Sequence, residues 1–523
     1  MKKFYLSYLL IAILSLGITT NTFAQEKVKQ SKKKEVMSDD YNRNSVTKLV
    51  VLHNDSYDNI VEDATRNFGF GEKYDYNDFG ISRFVDRSGR GKGEAGDFLG
   101  ILNENNIGKS IVSFWLNRGD DGMMNDALMQ SRSLYNTNDG DVLIDKASKV
   151  STLAELGDQL IKNSYVVVFD TKEVQKKQRK DKKTGKVTTS WHAKTVAYVY
   201  NIALDSAFID NLYYNMWIQD DDSPADKAAK KKLYDDLRVG MTYVTSVSTS
   251  ASSTVTEKNP ESKAIQTAIK SSFNGLLNKM EKAIPAWQVK VAIHDTNPIL
   301  CKIGTKENLR NATRYRVYKY IEDEQGELMT KPVGWVRATT VANNNIVATG
   351  ESPTSRFYQI AGGHLEPGML MRENKDKGIG LSLGAQYHGI SSFYFDVDYL
   401  MHINNWGGCS YGMLGFGADK REAIYMDLNL GFGYGIPATR WVEIMPYAKL
   451  GMDVMGHEKD EDKTHSYGTF YFEGGARLSV QPVYPLRVFV QADYVKGFLK
   501  GNCYVEGDNR FGLGYSVGLR YAF

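Results

Sequence analysis

From Lys377 to Phe523 apolar and polar residues alternate with a period of two, in runs of about ten residues separated by turns. In the last run Leu513, Tyr515, Val517, Leu519, Tyr521 and Phe523 share one face, and Gly514, Ser516, Gly518, Arg520 and Ala522 the other. Upstream, Ile379, Leu381, Leu383 and Ala385 alternate with glycine and serine; Phe393, Phe395, Val397 and Tyr399 alternate with Tyr394, Asp396 and Asp398. Ile424 to Phe432, Val442 to Leu450, Phe470 to Leu478 and Leu486 to Tyr494 repeat the pattern, and a weaker strand spans Ser410 to Ala418. A soluble β-sandwich alternates too, but its solvent-facing positions usually carry charge, and these apolar faces carry almost none. Connections are short at Gly435–Arg440 and Gln481–Pro485 but long and charged at Gly456–Ser466 and Lys500–Arg510. Alternating faces with alternating loop lengths predict an antiparallel transmembrane β-barrel of about eight strands, with short turns on the periplasmic side.

These residues resemble the small OmpA- and OmpX-like outer-membrane barrels of Gram-negative bacteria, in pattern and in the closing Tyr-x-Phe of Tyr521 and Phe523. The resemblance covers Lys377 to Phe523 only. It implies that Tyr515, Val517, Leu519, Tyr521 and Phe523 form the strand read by the barrel assembly machinery. The inward face is expected to hold Asp396, Asp398, Asp427, Glu443, Lys449, Glu473, Arg477, Arg487, Asp493 and Arg520. An eight-stranded barrel is just wide enough for side chains to fill it. Opposed charges there should pair, because an unpaired buried charge is costly. The expected interior is a polar core rather than a channel.

The start of the chain reads as an export signal, residues 1–24. Lys2 and Lys3 precede the apolar stretch Phe4–Ile18, and Thr22-Phe23-Ala24 fits a cleavage site before Gln25. The apolar stretch is shorter than the roughly 20 residues that cross a bilayer as a helix. No cysteine follows the cleavage site, which argues against a lipid anchor. Cys301, Cys409 and Cys503 are too few and too dispersed for a disulfide framework or a cysteine metal cluster. A net charge of +3 over 523 residues gives no support to a nucleic-acid partner. The 32 tyrosines and 47 glycines against 11 prolines suit strands, interfaces and crowded barrel interiors.

Residues 25–44, with Lys32-Lys33-Lys34, read as a disordered linker. Residues 45–298 read as an α+β periplasmic domain. Thr152 and Glu155 form a capping box for a helix ending near Lys162, followed by a strand Tyr165–Phe169, a basic tip Lys176–Lys186 and a strand Val196–Ile202. Ser223-Pro224 starts another helix. Between Asn259-Pro260 and Pro285, one amphipathic helix is expected from Ile265, Ala268, Ile269, Phe273, Leu276, Leu277 and Met280, and then a strand Trp287–Ile293. Residues 299–375 read as a small β-module, in which Gly334-Trp335-Val336-Arg337 opens a strand and Glu366-Pro367-Gly368 makes a type II turn. Its spacing resembles the small SH3-like barrels of flagellar and secretion-accessory periplasmic proteins and transfers no site. Residues 376–523 complete the chain as the barrel.

Several motifs carry chemistry elsewhere. Gly91, Gly93 and Gly96 spell G-x-G-x-x-G, which needs a strand before it and a helix after it to hold a dinucleotide; a polar loop is expected instead. Gly514-Tyr515-Ser516-Val517-Gly518 matches a nucleophile elbow but lies inside a strand. Arg118-Gly119-Asp120 is read as a coincidental tripeptide. His457, Glu458, Asp460, Asp462 and His465 crowd one outer loop, and a solvated loop accounts for them better than a metal site. His53, His192, His294 and His364 show no ligand spacing. No catalytic, cofactor-binding or metal-binding residue is therefore assigned. The expected function is that of an outer-membrane anchored structural or assembly protein, non-enzymatic, presenting a periplasmic α+β region. Its partners are outer-membrane lipid, the barrel assembly machinery, and peptidoglycan or periplasmic proteins. The alternatives are a membrane-tethered enzyme and a surface adhesin using the barrel loops.

Overall fold

The computed structural model describes residues 43–77, 82–86, 93–125, 127–128, 161–322, 328–345, 353–388, 391–420, 423–460, 463–500 and 512–523. The expected export signal, most of the basic linker, the Thr152–Glu155 capping box and Cys503 lie outside them.

The first layer is a six-stranded sheet of β1 (Asn44–Leu52), β2 (Tyr74–Tyr76), β3 (Ser82–Asp86), β4 (Ser164–Lys180), β5 (Val187–Ile202) and β6 (Met241–Thr254). β1 runs parallel to β2, β3 and β4, and β4, β5 and β6 are antiparallel. β1 is buried along its whole length because both sheet faces are covered. Leu49 and Val51 face one core, which holds α2 (Ala95–Glu104) and α3 (Ile107–Trp115). Val46, Val50 and Leu52 face the other, which holds α1 (Asp58–Arg66), α6 (Glu261–Ser271) and α7 (Leu276–Ala283). Among the described residues the region also holds α4 (Ser206–Asn211), continued by a π-helical turn at Leu212–Met216, and α5 (Pro224–Asp235); α5 starts as expected, with Ser223 Oγ accepting from Asp226 N–H.

Three local expectations change. The single helix of 260–285 is two, α6 and α7, because Gly275 sits at φ +82° between them, a conformation that leaves the helical path. The apolar stripe itself is right: Ala268, Ile269, Phe273, Leu276 and Met280 are buried together. The strand placed at Trp287–Ile293 shrinks to Lys290–Ala292. Trp287 instead turns through a short 3-10 segment into the core against Tyr74 and Tyr165. The hairpin strands β4 and β5 run on to Lys180 and from Val187. The outer part of β4 is solvated on both faces and carries no apolar alternation, while the outer half of β5 buries only Trp191 and Ala193 on one face, too short an apolar run to mark a strand.

The second layer is an antiparallel seven-stranded sheet of β7 (Lys290–Ala292), β8 (Asp295–Thr296), β9 (Ile299–Cys301), β10 (Arg314–Glu322), β11 (Leu328–Thr340), β12 (Ser355–Gly362) and β13 (Leu370–Glu373). Because β7 pairs with β13, this module begins near Lys290 rather than at 299. β11 also starts six residues before Gly334, since its exposed first half, with Lys331 and Pro332, shows no buried face. The Pro367-Gly368 turn is as expected, with Gly368 at φ +82° and Met369 N–H donating to the Glu366 carbonyl at 3.3 Å.

The third part is a closed antiparallel barrel of eight strands: β14 (Ile379–Tyr387), β15 (Ser391–Ile403), β16 (Cys409–Lys420), β17 (Ala423–Pro437), β18 (Val442–Asp460), β19 (Lys463–Val483), β20 (Leu486–Lys500) and β21 (Gly512–Ala522), with β21 pairing back on β14. Of the segment Gly456–Ser466, expected as a long loop, Gly456–Asp460 and Lys463–Ser466 are paired strand, and Glu461 and Asp462 lie outside the described residues. β18 and β19 stay in register to Glu458 opposite Thr464 and, after a one-residue shift, pair on to Asp460 opposite Lys463. At 19 and 21 residues these two strands exceed the roughly 9–11 that cross a bilayer, so their hairpin extends past it. The side chains of the His457–His465 cluster lie outside the described residues.

Candidate functional site

The barrel has an apolar outside and a charged inside. Leu383 is 62% exposed, Leu430 64% and Phe393 79%, a degree that water would not favour and hydrocarbon would. Trp406, Trp441, Tyr521 and Phe523 ring the end with the short turns, and Tyr387 and Tyr515 stack near the other. Aromatic girdles at two heights mark the two edges of a membrane.

The ten charged residues assigned to the lumen all lie on the inner face, in linked groups. Asp398 takes two bonds from Arg520, at 2.5 and 2.7 Å. Asp396 accepts from Arg477 at 2.9 Å and from Tyr394 at 2.5 Å. Lys449 lies 3.7 Å from Asp396 and 3.9 Å from Glu473, between the rings of Tyr394 and Tyr447. Arg487 pairs with Glu443, and Tyr471 donates to Asp427. Asp493 meets His388 at 2.5 Å and Tyr447 at 3.0 Å. Charge-assisted bonds on this scale fix the side chains that fill the bore.

The short-turn end of the barrel is not open either. Ala312, Tyr358 and Ile360 of the β-module pack onto Leu400, Ile403, Cys409, Tyr411, Met413, Met445 and Tyr447 just inside the mouth. Asn311 exchanges two bonds with the Ile403 backbone, at 2.7 and 3.0 Å. Arg314 donates to the Tyr484 hydroxyl at 2.7 Å, Arg440 donates to the Gly362 and Gly363 carbonyls, and Gln481 reaches the Ile360 carbonyl. Arg337 clasps Asp376 on the segment entering β14; burial lowers the tendency of that guanidinium to stay charged, and Asp376 more than restores it. Gly407, in the β15–β16 turn at φ +87°, has no room for a Cβ: one would fall 2.3 Å from the Tyr358 ring. Nothing in a single sequence links residue 358 to residue 407.

A second junction joins the α+β region to the module. Lys73, fully buried, sits 2.9 Å from Glu281 and 2.7 Å from Glu373, and Lys375 bridges the same two carboxylates at 3.0 and 3.1 Å. Burial pushes the Glu281 carboxyl up, but Lys73 and Lys375 outweigh it and hold it below the ordinary value of 4.5. Burial pushes Lys375 down, and Glu373 and Glu281 outweigh it and hold it above 10.5.

His53, without ligand spacing in the sequence, bonds Asp170 at 2.8 Å with both side chains fully buried. It is a structural pair at the end of β1. The G-x-G-x-x-G segment does have a strand, β3, before it and a helix, α2, after it, contrary to expectation. Gly91 lies outside the described residues. The start of α2 is already capped by Glu94 and Asp97 carboxylates, which occupy amides that a phosphate would need. Ser516 faces the barrel lumen within β21, and Arg118 pairs with Asp235 at 2.9 Å. Cys301 and Cys409 are free and buried, and burial raises the Cys301 thiol to about 12. Among the described residues no helix is long and apolar enough to cross a membrane, and no group of side chains is arranged to hold a metal ion.

A closed eight-stranded barrel with an apolar belt, aromatic rims and a charged, filled bore defines an outer-membrane β-barrel protein, here carrying a large region ahead of the barrel. No protein-family model and no curated relative matches the sequence. Among solved structures, the Yersinia pestis outer membrane protein Ail in a phospholipid bilayer nanodisc is similar at 13% identity, over 28% of this chain and 100% of that one, with a TM-score of 0.19. A loop L8 deletion mutant of OmpT, an outer membrane protein of Vibrio cholerae, is similar at 9% identity, over 69% of this chain and 99% of that one, with a TM-score of 0.14. Likeness of this degree adds nothing to what the barrel itself establishes.

Proposed function

We propose that the barrel is an anchor rather than a conduit, and that it holds the β-module and α+β region at the periplasmic face for non-enzymatic structural or assembly work. The observation that carries this reading is the β-module seated on the short-turn mouth, above a bore already filled by ion pairs. A pore needs a continuous aqueous path, and both features remove it. Short turns are the periplasmic ones in such barrels, so the module and everything before it lie beneath the membrane. Partners of that region are then peptidoglycan, lipoproteins or an assembly complex.

Two measurements test it. Full-length protein in planar bilayers should show no stable large conductance, and steady porin-like currents would overturn the anchor. Protease added to intact cells should cut at the β18–β19 tip around Glu461 and spare the basic hairpin near Arg179. Cleavage near Arg179 would reverse the topology and restore the adhesin reading.

A further inference from the structure

Where the α+β region, the β-module and the outer wall of the barrel meet, they leave an open cleft of about 1110 Å³. Eight cationic side chains and one carboxylate, Asp376, line it. Five of the cations are committed elsewhere: Arg314 and Arg337 to Asp376, Lys375 to Glu281 and Glu373, Lys270 to Asp63, and Lys279 to a backbone carbonyl. Lys282, Arg310 and Lys377 have no side-chain partner among the described residues, and all three are exposed.

The opposite wall is of another kind. Tyr399 and Met401, 56% and 55% exposed, belong to the lipid face of β15. A second cavity of about 770 Å³ shares Lys282 and Lys377 with the first and runs onto Ile379, Leu381, Tyr521 and Phe523, again on the lipid face. Unpaired cations thus stand directly over exposed hydrocarbon-facing side chains, at the aromatic rim where a bilayer ends. A soluble anion would use the cations and leave the apolar wall idle. A hydrophobic ligand would do the reverse.

We propose that this cleft binds an anionic glycerophospholipid, its phosphate on Lys282, Arg310 and Lys377 and its acyl chains along Tyr399, Met401 and the neighbouring barrel wall. The choice of a glycerophospholipid rests on the periplasmic placement proposed above. The pairing of an anionic head with an apolar tail rests only on the cleft.

The test uses full-length protein in nanodiscs containing phosphatidylcholine with a minor fraction of phosphatidylglycerol, followed by mild extraction and native mass spectrometry of retained lipid. Wild-type protein should retain phosphatidylglycerol in preference to phosphatidylcholine. Each cation near a membrane surface contributes about a fivefold preference, so Lys282→Gln, Arg310→Gln and Lys377→Gln together should reduce it on the order of 100-fold. Neutralising Lys177, Lys180 and Lys182 at the exposed hairpin tip is the charge-matched control and should change nothing. Heat-modifiable gel mobility checks that each variant is folded. Equal retention of the two lipids by wild type, or undiminished preference in the folded triple variant, would overturn the proposal. So would full displacement of the lipid by millimolar inorganic phosphate, which would make the cleft a site for a soluble anion. The intact-cell protease experiment is read separately. Reversed topology with the preference intact would cost the periplasmic placement and leave the headgroup site standing.

Discussion

Replacing Lys73 by methionine removes the central cation of the junction between the α+β region and the β-module. Lys73 is fully buried and touches Glu281 and Glu373, each only a few per cent exposed. Without it two carboxylates share Lys375, which is partly open to solvent. Removing one partner from a buried ion cluster costs about 3–5 kcal/mol. The lower end applies here, because the Tyr74 hydroxyl still donates to Glu281 at 3.1 Å and Val289 N–H to Glu373 at 3.3 Å. A loss of about 3 kcal/mol, with a urea slope near 3 kcal/mol per molar, moves the unfolding midpoint of this region down by about 1 M. The assay is urea titration of the full-length chain in detergent, read by tryptophan fluorescence, since Trp287 packs on Tyr74, whose hydroxyl donates to Glu281 of the cluster. Adding Glu281→Met should restore at least half of the loss, because it returns the cluster to one carboxylate beside one cation. The reasoning is refuted if Lys73→Met leaves the midpoint within 0.2 M (~0.6 kcal/mol at that slope) of wild type, or if the double variant loses as much again.

The same cluster sets a pH window. Glu281, held below 4.5, contributes stability above that value and loses it as pH falls through its folded pKa, while Lys375, held above 10.5, contributes below that value and loses it as pH rises further. Midpoints should therefore be flat between those limits and fall outside both, and a steady slope across neutral pH would contradict the assignment. Leu430→Arg, on the lipid face between Leu414 and Leu450, should destabilise the barrel by about 2–4 kcal/mol in reversible folding into vesicles. Gly407→Ala should loosen the module from the mouth, raising protease sensitivity at 340–360 with the barrel still heat-modifiable. Deleting Phe523, whose backbone bonds Ile379 and Lys377, should slow barrel assembly, seen as loss of the heat-modifiable form.

What the sequence disclosed follows from the range of each interaction. Barrel strands face lipid and lumen in turn, so every second residue reports its side, and Asp396, Lys449 and Arg520 stand where alternation puts them. The stripe over 260–285 was legible for the same reason at helical period, but the break at Gly275 was not, since a glycine inside a helical pattern is tolerated as often as it ends one. The outer part of β4 is exposed on both faces, and the outer half of β5 buries only Trp191 and Ala193, so neither left a pattern long enough to read. The junctions were out of reach for a different reason. Lys73 meets partners 208 and 300 residues away, and His53 meets Asp170 across 117. A lysine in a polar stretch has the same appearance whether it ends in water or between two carboxylates.

The two junctions are built from different materials, and this decides which one can open. The module holds the barrel chiefly through an apolar plug, backbone bonds to Asn311 and a turn with no space for a methyl group, which persist over a wide range of pH and salt, with the Arg337–Asp376 pair added at the entry to β14. The α+β region holds the module through charge, which depends on protonation. Lys375 belongs to both the ionic junction and the wall of the basic cleft. Loosening the junction therefore releases Lys375 and moves the helix that carries Lys282. Lys73→Met should accordingly weaken phosphatidylglycerol retention as well as stability, while the Lys282, Arg310 and Lys377 variants should lose lipid with the urea midpoint unchanged. In lipid-free detergent, where no bound lipid feeds back on docking, that asymmetry is what a cleft formed by docking requires. If the triple variant lowers the midpoint as far as Lys73→Met does, those cations are part of the junction itself and the cleft is not a separate site.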